Sequence, residues 1–567
     1  MQLKRGLKVV VSHILRSVGI HIRQKHASKN TTSTSTNHET IANFDDLQLI
    51  YKSKSLLDLI RAYGVLKLCS FSFLVRHQEQ LLKLSRRILG DYIFAKLLRS
   101  TIFKHFAGGE TLQEVSYLAK KLASNGVGTI LDYSVEEDLQ KDSAELLDDN
   151  SHFNALSPPY RPDRMYVDRR CPRVLARCFF YQNEARCEEN MQAVLNSIDR
   201  IKALAECGSG NAYAALKLTA LGKPHVLLQL SQVVQSSRTF FKKTTGIEPV
   251  ALSDITPENL GEKLHITRNR KEFDEWLSQM DFDNKGIMNL FSWSGLIGGS
   301  VEITRLFQVP DVKTGKMEPL ATVLREDDEV AFRNMMRRLH TIAKVAKEKR
   351  VSVMVDAEQS YFQLAISRLT LELMRVYNKE HPVIFNTYQC YLKNARRDVR
   401  VSLELARRQG FHLAVKLVRG AYMDHERLRA KEQGYEDPIN PSYDATTAMY
   451  HGALTDLLQD SGRVSVLVAT HSEESIKYAL RLMEELRIEK RDGKVNFGQL
   501  LGMADYLSFP LGAVGYSVYK YVPYGPVLEV LPYLSRRLVE NNSVIDKLSK
   551  EVRMVRREIF RRLSVKK

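Results

Sequence analysis

The hydrophobic pattern changes character near residue 126. Across 44–125, apolar residues recur at spacings of three and four, as in LQLIYKSKSLLDLIRAYGVLKL, which predicts helices. Beyond that point short β-rich runs alternate with longer helical stretches. Eight such runs occur: GVGTILDYS, AYAALKLTAL, VSVMVDAEQ, VIFNTYQCYL, LAVKLVRGAY, VSVLVATH, VNFGQLLG and SVYKYVPYG. Continuous Val/Ile/Leu character predicts strands buried on both faces, as in a parallel sheet. Eight β-then-α units predict an α/β protein built on a distorted (β/α)8 barrel, with an N-terminal helical region and a long helical insertion.

Polar residues fall at a consistent place in these runs. Asp132, Lys217, Asp356, Gln389, Arg419, His471, Gln499 and Tyr521 each lie in or just beyond the second half of a run. Barrel sites sit at the C-terminal ends of the strands, so side chains in this register are expected to converge. A single polar residue there is more often a loop cap; eight in one register favour a site.

Late in the chain, residues 533–541 (YLSRRLVEN) read as a helix introduced by Pro526, with Tyr533, Arg536, Arg537 and Glu540 along one side. Paired guanidiniums on a helix suit a small carboxylate, which their planar forks grip bidentately. A solvated, salt-bridged face is the plain alternative for any isolated Arg pair.

The expected boundaries are a targeting segment at 1–38, helices at 44–125, the barrel at 126–544 and a basic amphipathic tail at 545–567. The segment 225–350 is too long for an ordinary strand–helix–strand connection and is expected to be an inserted subdomain. Within it, 281–292 (DFDNKGIMNLFS) matches an EF-hand loop at Asp281, Asp283 and Gly286 but has Lys285 and Ser292 where oxygen ligands belong. This predicts a relic helix–loop–helix and no metal. GSGNAY at Gly208 is followed by a strand, the wrong geometry for a dinucleotide fingerprint. In the tail, Ile545, Leu548, Val552, Val555, Ile559 and Leu563 form one stripe with basic residues opposite. Packing on the protein itself and contact with anionic lipid both remain open.

Charge narrows the function classes. The net is +18, of which residues 1–38 contribute +7 and residues 545–567 contribute +6, so the body is not a nucleic-acid surface. Basic, hydroxylated and acid-free, residues 1–38 resemble a mitochondrial transit peptide. The best apolar run, 59–75, is interrupted by Arg61 and Lys67, so no bilayer span is expected. Six cysteines without a CxxC pair indicate neither a zinc site nor a disulfide framework, in keeping with a reducing compartment.

Four motifs occurring in order, VRGAYMDHE, VATHSEES, QLLGMADYLSFPLG and YVPYGPVLEVLPYLSRRLVEN, resemble proline dehydrogenase from about residue 126 to 541. The resemblance implies an FAD enzyme that oxidises L-proline to Δ1-pyrroline-5-carboxylate, the first step of proline catabolism. It implies a hydride passing from ring C5 to the flavin, and electrons leaving to ubiquinone at the matrix side of the mitochondrial inner membrane. It also assigns residues. Arg536 and Arg537 clamp the substrate carboxylate with Glu540 supporting them; Tyr521 packs on the ring; Lys217, Tyr533, Leu500 and Tyr422 complete the substrate site. Glu136 and Asp132 belong to the gate over it. The flavin contacts are Asp356, Gln389, Lys416, Val418, Gly420, Tyr422, Thr470, His471, Leu500 and Glu540. Gly420 is expected to let backbone approach the cofactor, and Lys416 with Arg419 to suit its pyrophosphate. Bacterial relatives commonly carry Arg at Lys416 and Asn at Ser472. Asp356 could neutralise Lys217 or hydrogen-bond the isoalloxazine edge.

Two rival readings remain. The hydroxyproline branch tends to a smaller residue at Tyr521, so a tyrosine there favours proline over 4-hydroxyproline. A non-catalytic adaptor using the calcium-like loop and basic tail would have no use for Lys217, Asp356, His471 and the Arg pair together.

Overall fold

The computed structural model describes residues 42–134, 165, 183–206, 211–245, 256–264, 270–289, 291, 293, 307–311, 314, 316–320, 326–460, 462–543 and 545–564. The segment 1–38 and Glu136 therefore lie outside the described residues, as does the Glu540 side chain. Residues 42–567 form a single compact unit.

Eight parallel strands close into a barrel: β1 (Gly128–Tyr133), β2 (Tyr213–Leu216), β3 (Ser352–Val355), β4 (Ile384–Gln389), β5 (Leu413–Val418), β6 (Val464–Ala469), β7 (Val495–Leu500) and β8 (Val518–Tyr524). Each strand pairs with its sequence neighbours, and β8 returns to β1 with Gly128 opposite Tyr519 and Tyr133 opposite Tyr524. The eight apolar runs are thus the eight strands. All seven residues of β8 are buried, the consequence of side chains on one parity filling the barrel and those on the other meeting the helices.

Alternation sorts the interior. Ile130, Tyr213, Met354, Phe385, Leu467 and Tyr519 pack together as the barrel's floor. Tyr213 makes edge-to-face contacts with Phe385 and Tyr519 at centroid distances of 5.7 and 4.8 Å, an arrangement favoured by the ring quadrupoles. This bulky layer closes the barrel below and leaves the C-terminal mouth to smaller and polar residues.

Among the described residues, the insertion combines helices with short hairpins. Helix Pro224–Thr245 packs on Ser360–Tyr377, and helix Glu326–Lys349 packs on Glu184–Glu206 and β3, so both belong to the barrel's outer layer. Arg338, almost wholly buried, ties that layer together, donating to Leu221 O at 2.8 Å and to Glu188 at 2.8 Å. Between these helices, the described residues include two short helices and two antiparallel hairpins, Asp281–Asp283 with Gly286–Asn289 and Gln308–Pro310 with Met317–Pro319. The calcium-like loop itself folds as the first hairpin, entered from helix Arg270–Ser278 and followed by a helical Trp293. Arg408 donates to Asp283 at 2.8 Å and to the Gly286 carbonyl at 2.6 Å, so a guanidinium engages the Asp283 carboxylate that a cation would need.

The N-terminal helices and the last helix form one assembly against the barrel. Helix Leu56–Cys69 begins with a full capping box at Ser55 and Asp58 and packs against both Leu531–Ser543 and Ile545–Ser564. The last helix buries Val552, Val555 and Ile559 there, and Arg562 donates to the carbonyls of Tyr51 and Lys54 at 2.7 and 2.6 Å. The tail's stripe packs on its own protein. Among the stripe's described side chains, Leu563 at the end of the helix stays exposed. Among the described residues, no helix is long and apolar enough to cross a membrane.

Candidate active site

Five strands deliver a continuous ionic network to the C-terminal mouth. Asp132, at the end of β1, takes Lys217 Nζ at 3.3 Å and a hydrogen bond from the Ser134 hydroxyl. Lys217 follows β2 and stands 3.8 Å from Asp356, which follows β3. Asp356 accepts Lys416 Nζ, from β5, on one oxygen and the Tyr521 hydroxyl, from β8, on the other, each at 2.6 Å. The Lys416 ammonium also lies 4.6 Å from the Tyr521 ring centroid, a cation–π distance.

Each group's state follows from its neighbours. Burial alone would raise the Asp356 pKa. The Lys416 and Lys217 charges, with the hydrogen bonds from Lys416 and Tyr521, hold it below the ordinary carboxylate value. Burial first, then the carboxylates of Asp132 and Asp356, push the Tyr521 phenol well above its usual value. Tyr521 therefore stays neutral and donates. Asp356 serves chiefly as the counter-ion of Lys416, with Lys217 farther off.

This corrects several expectations. Lys416 is not turned towards a pyrophosphate with Arg419; Arg419 follows the end of β5 three residues on, and the two side chains leave on opposite faces. Arg419 points out to the helices, donating to Thr447 and Ser475 hydroxyls at 3.0 and 3.1 Å and lying 4.5 Å from the Tyr443 ring centroid. Gln499 also has outward parity: it accepts from Ser508 at 2.8 Å. Six of the eight polar residues thus face the mouth. Asp132 is 2% exposed and held on two sides, where it anchors Lys217. At Gly420, φ is +134° and an added Cβ would come 2.3 Å from the Tyr391 ring, so the close approach that demands glycine is to this tyrosine.

The remaining predicted residues surround the network. Gln389 ends β4 and donates to the Glu358 carbonyl at 2.8 Å. Val418 shares the inward parity of Lys416 at the end of β5, and Tyr422 sits at the start of the helix Met423–Gln433. Thr470 accepts from the Ser472 backbone at 3.1 Å, and His471 Nε2 accepts the Leu500 N–H at 3.1 Å, which places the neutral ring's proton on Nδ1. Leu500 packs against the barrel interior.

Helix Leu531–Ser543 leaves β8 through a short turn and turns its charged side inward. Arg537 is 6% exposed and Tyr533 is buried, while Arg536 is half-buried. The Arg537 guanidinium lies 4.8 Å and that of Arg536 6.0 Å from the Tyr533 ring centroid. The Tyr533 phenol is close enough to contribute to the upward shift of Tyr521. The Arg pair is therefore no solvated surface feature.

The mouth suits a flat cofactor with an anionic tail, such as FAD. Ala469 and Gly498 are register neighbours on β6 and β7 and leave a flat stretch of wall. Lys416, Gln389 and His471 offer donors for a heterocycle's edge. Arg419 Nε is buried without a hydrogen-bond partner beside the N-terminus of helix Glu473–Glu485, where a guanidinium and free backbone N–H groups suit phosphate oxygens.

Sequence reading missed Ser134, which fixes Asp132, and Glu426, which accepts the Ser360 backbone N–H at 2.6 Å at the start of the helix after β3. It also missed residues 108–110, which reach the end of β8. The Gly-Gly pair there, within an otherwise helical region, was the available signal.

A closed barrel with ionisable side chains gathered at its C-terminal mouth defines a TIM-barrel enzyme site. The proline dehydrogenase family model matches residues 181–550. Proline dehydrogenase 1, mitochondrial, of Drosophila melanogaster is 43% identical over 548 residues, covering 92% of this chain and 80% of the relative. The Homo sapiens protein of the same name is 43% identical over 542 residues, covering 92% and 89%. Hydroxyproline dehydrogenase of Xenopus laevis is 33% identical over 519 residues, covering 91% and 89%. Among solved structures, proline utilization A from Bdellovibrio bacteriovorus aligns with a TM-score of 0.48 and 16% identity over 87% of this chain, which spans 38% of that longer protein. The chain belongs to the proline dehydrogenase family.

Proposed function

We propose that this protein oxidises L-proline to Δ1-pyrroline-5-carboxylate in mitochondria, using FAD, and delivers the electrons to ubiquinone. The observation that carries the reading is the buried Arg537–Tyr533 face set beside the Asp356–Tyr521–Lys416 network. Arg536 and Arg537 hold the proline carboxylate, and Tyr521 packs on the ring. The network beneath keeps Tyr521 neutral and fixed, so its ring orientation is set before substrate arrives. FAD bound in the mouth supplies the acceptor for the hydride leaving C5. The ring nitrogen gives up its proton as the C=N bond forms. Support for mitochondrial residence comes from the relatives' names and from the basic, acid-free first 38 residues.

A buried, hydrogen-bonded Tyr521 favours proline over 4-hydroxyproline, since an added ring hydroxyl would meet an aromatic face without a partner. The test is the visible spectrum of the purified protein. Flavin absorbance should bleach with proline, and more slowly with 4-hydroxyproline; a colourless or proline-insensitive protein rejects the proposal.

Quinone reduction calls for a membrane-facing surface. With Val552, Val555 and Ile559 of the tail's stripe covered, the better candidate is the helical segment Gln78–Leu98, kinked at Gly90, where Leu84 and Ile88 before the kink and Tyr92, Ile93 and Leu97 after it are exposed beside Lys83, Arg86 and Arg87. Ile88→Glu with Ile93→Glu should reduce co-sedimentation with anionic vesicles while turnover with a soluble dye stays unchanged; undiminished co-sedimentation excludes this face.

A further inference from the structure

Strand β8 outruns its neighbour. Strand β7 ends opposite Tyr521, where Leu501 N donates to the Tyr521 carbonyl at 3.0 Å, yet β8 continues to Tyr524. Its backbone groups on that side need partners, because buried backbone donors and acceptors rarely go unpaired. The N-terminal region provides them. Gly108 N donates to the Pro523 carbonyl at 2.8 Å, Gly525 N donates to the Gly109 carbonyl at 3.2 Å, and Gly109 forms a parallel bridge with Tyr524.

Two glycines make that approach possible. A Cβ on Gly108 would fall 2.4 Å from Val522 Cγ1, and one on Gly109 would fall 2.5 Å from Glu114 Cβ, with φ at +152°. The next residue reaches farther. Pro526 O accepts from both Glu529 N and Val530 N, so the helical turn leading into Leu531–Ser543 starts there. Val527 N is then an orphan donor of that turn, and Glu110 Oε1 accepts from it at 3.3 Å. Glu110 is itself held by Arg99, and its own N–H donates to Glu114 at 3.0 Å.

We infer that Glu110 is a positioning residue for substrate binding: it caps, from the N-terminal region, the turn that aims the Arg536–Arg537 helix at the mouth. A carboxylate at the positive end of that turn both satisfies the N–H and meets the helix dipole. Glu110 lies outside residues 181–550, the part of the chain that the family model matches. The inference rests on the assignment of the Arg pair to the proline carboxylate.

The test measures steady-state turnover of L-proline by full-length holoenzyme with a soluble dye, and competitive inhibition by cyclopentanecarboxylate and by pyrrolidine. Glu110→Ala should raise KM for proline about fivefold and weaken cyclopentanecarboxylate equally, with kcat within about twofold and pyrrolidine inhibition unchanged. A role confined to stability would move both inhibitors together or neither, and that result overturns the inference. Arg537→Met is the control. If it raises KM while Glu110→Ala does not, the inference fails and the carboxylate assignment stands. If neither raises KM, the assignment itself has failed. Should Glu110→Ala not accumulate, Glu110→Gln carries the test: it keeps an acceptor oxygen but not the charge, and should raise KM about twofold, whereas an unchanged KM counts against the inference.

Discussion

Two buried ionic clusters sit back to back across strand β8. Tyr521 points into the barrel, where it joins Asp356, Lys416, Lys217 and Asp132. Lys520, one residue earlier and wholly buried, points outward to Asp505 at 2.9 Å and to the Met503 carbonyl at 2.7 Å. Around it Lys54 pairs with Asp505, and Glu551 of the last helix accepts the N–H groups of Ala504 and Asp505 at 3.2 and 3.4 Å. Both clusters are dry, charged and shifted in pKa. What separates them is address: one opens at the ends of the strands, while the other is sealed between the barrel, the N-terminal helices and the tail. Buried charge by itself does not mark a site; strand parity and position along the barrel axis do.

The contrast can be broken most forcefully on the outer side. Lys520→Met leaves Asp505 and Glu551 facing a single remaining cation, Lys54, and should cost about 3–5 kcal/mol in chemical denaturation. The KM for proline should stay within twofold. A loss under about 1 kcal/mol would mean that the outer cluster holds nothing together.

On the inner side, Tyr521→Ser should leave folding largely intact but lower proline kcat/KM about thirtyfold through lost ring contact, while raising the relative rate on 4-hydroxyproline. An unchanged ratio between the two substrates would remove Tyr521 from specificity.

The smallest effect concerns pH. Burial, then the nearby Asp505 charge, lift Glu551 from 4.5 to about 7. The folded state therefore keeps a proton that the unfolded state has released, and stability falls as pH rises through that window. Glu551→Gln carries no such proton. Its stability relative to the unmodified protein should climb between those pH values, seen as a growing difference in Tm. A constant difference would show that Glu551 titrates normally. Asp505, held below the ordinary carboxylate value by Lys520 and Lys54 despite its burial, acts in the opposite sense but only at more acidic pH.

The barrel was readable because eight apolar runs of strand length, each followed by a helix, have few other solutions. The inward residues were harder. Register along a strand fixes which face a side chain takes, and a run's apparent end leaves that uncertain by one residue. Arg419 and Gln499 were misplaced on this account, whereas Lys217, Asp356, His471 and Tyr521 were placed correctly. The stripe on the tail was visible in sequence but its partner was not, since amphipathicity names a face without naming what covers it. Glu110 was unreadable for the same reason: its partner Val527 lies 417 positions away in the chain.

Barrel closure has a temporal consequence. One edge of β1 has no partner until β8 is made, and the first helices wait for the last, whose Arg562 contacts Tyr51 across 511 positions. A chain emerging from a ribosome or a translocation pore thus carries its early helices unsheltered until nearly its final residue. Truncation by a few dozen C-terminal residues should therefore yield aggregate in place of a shortened enzyme.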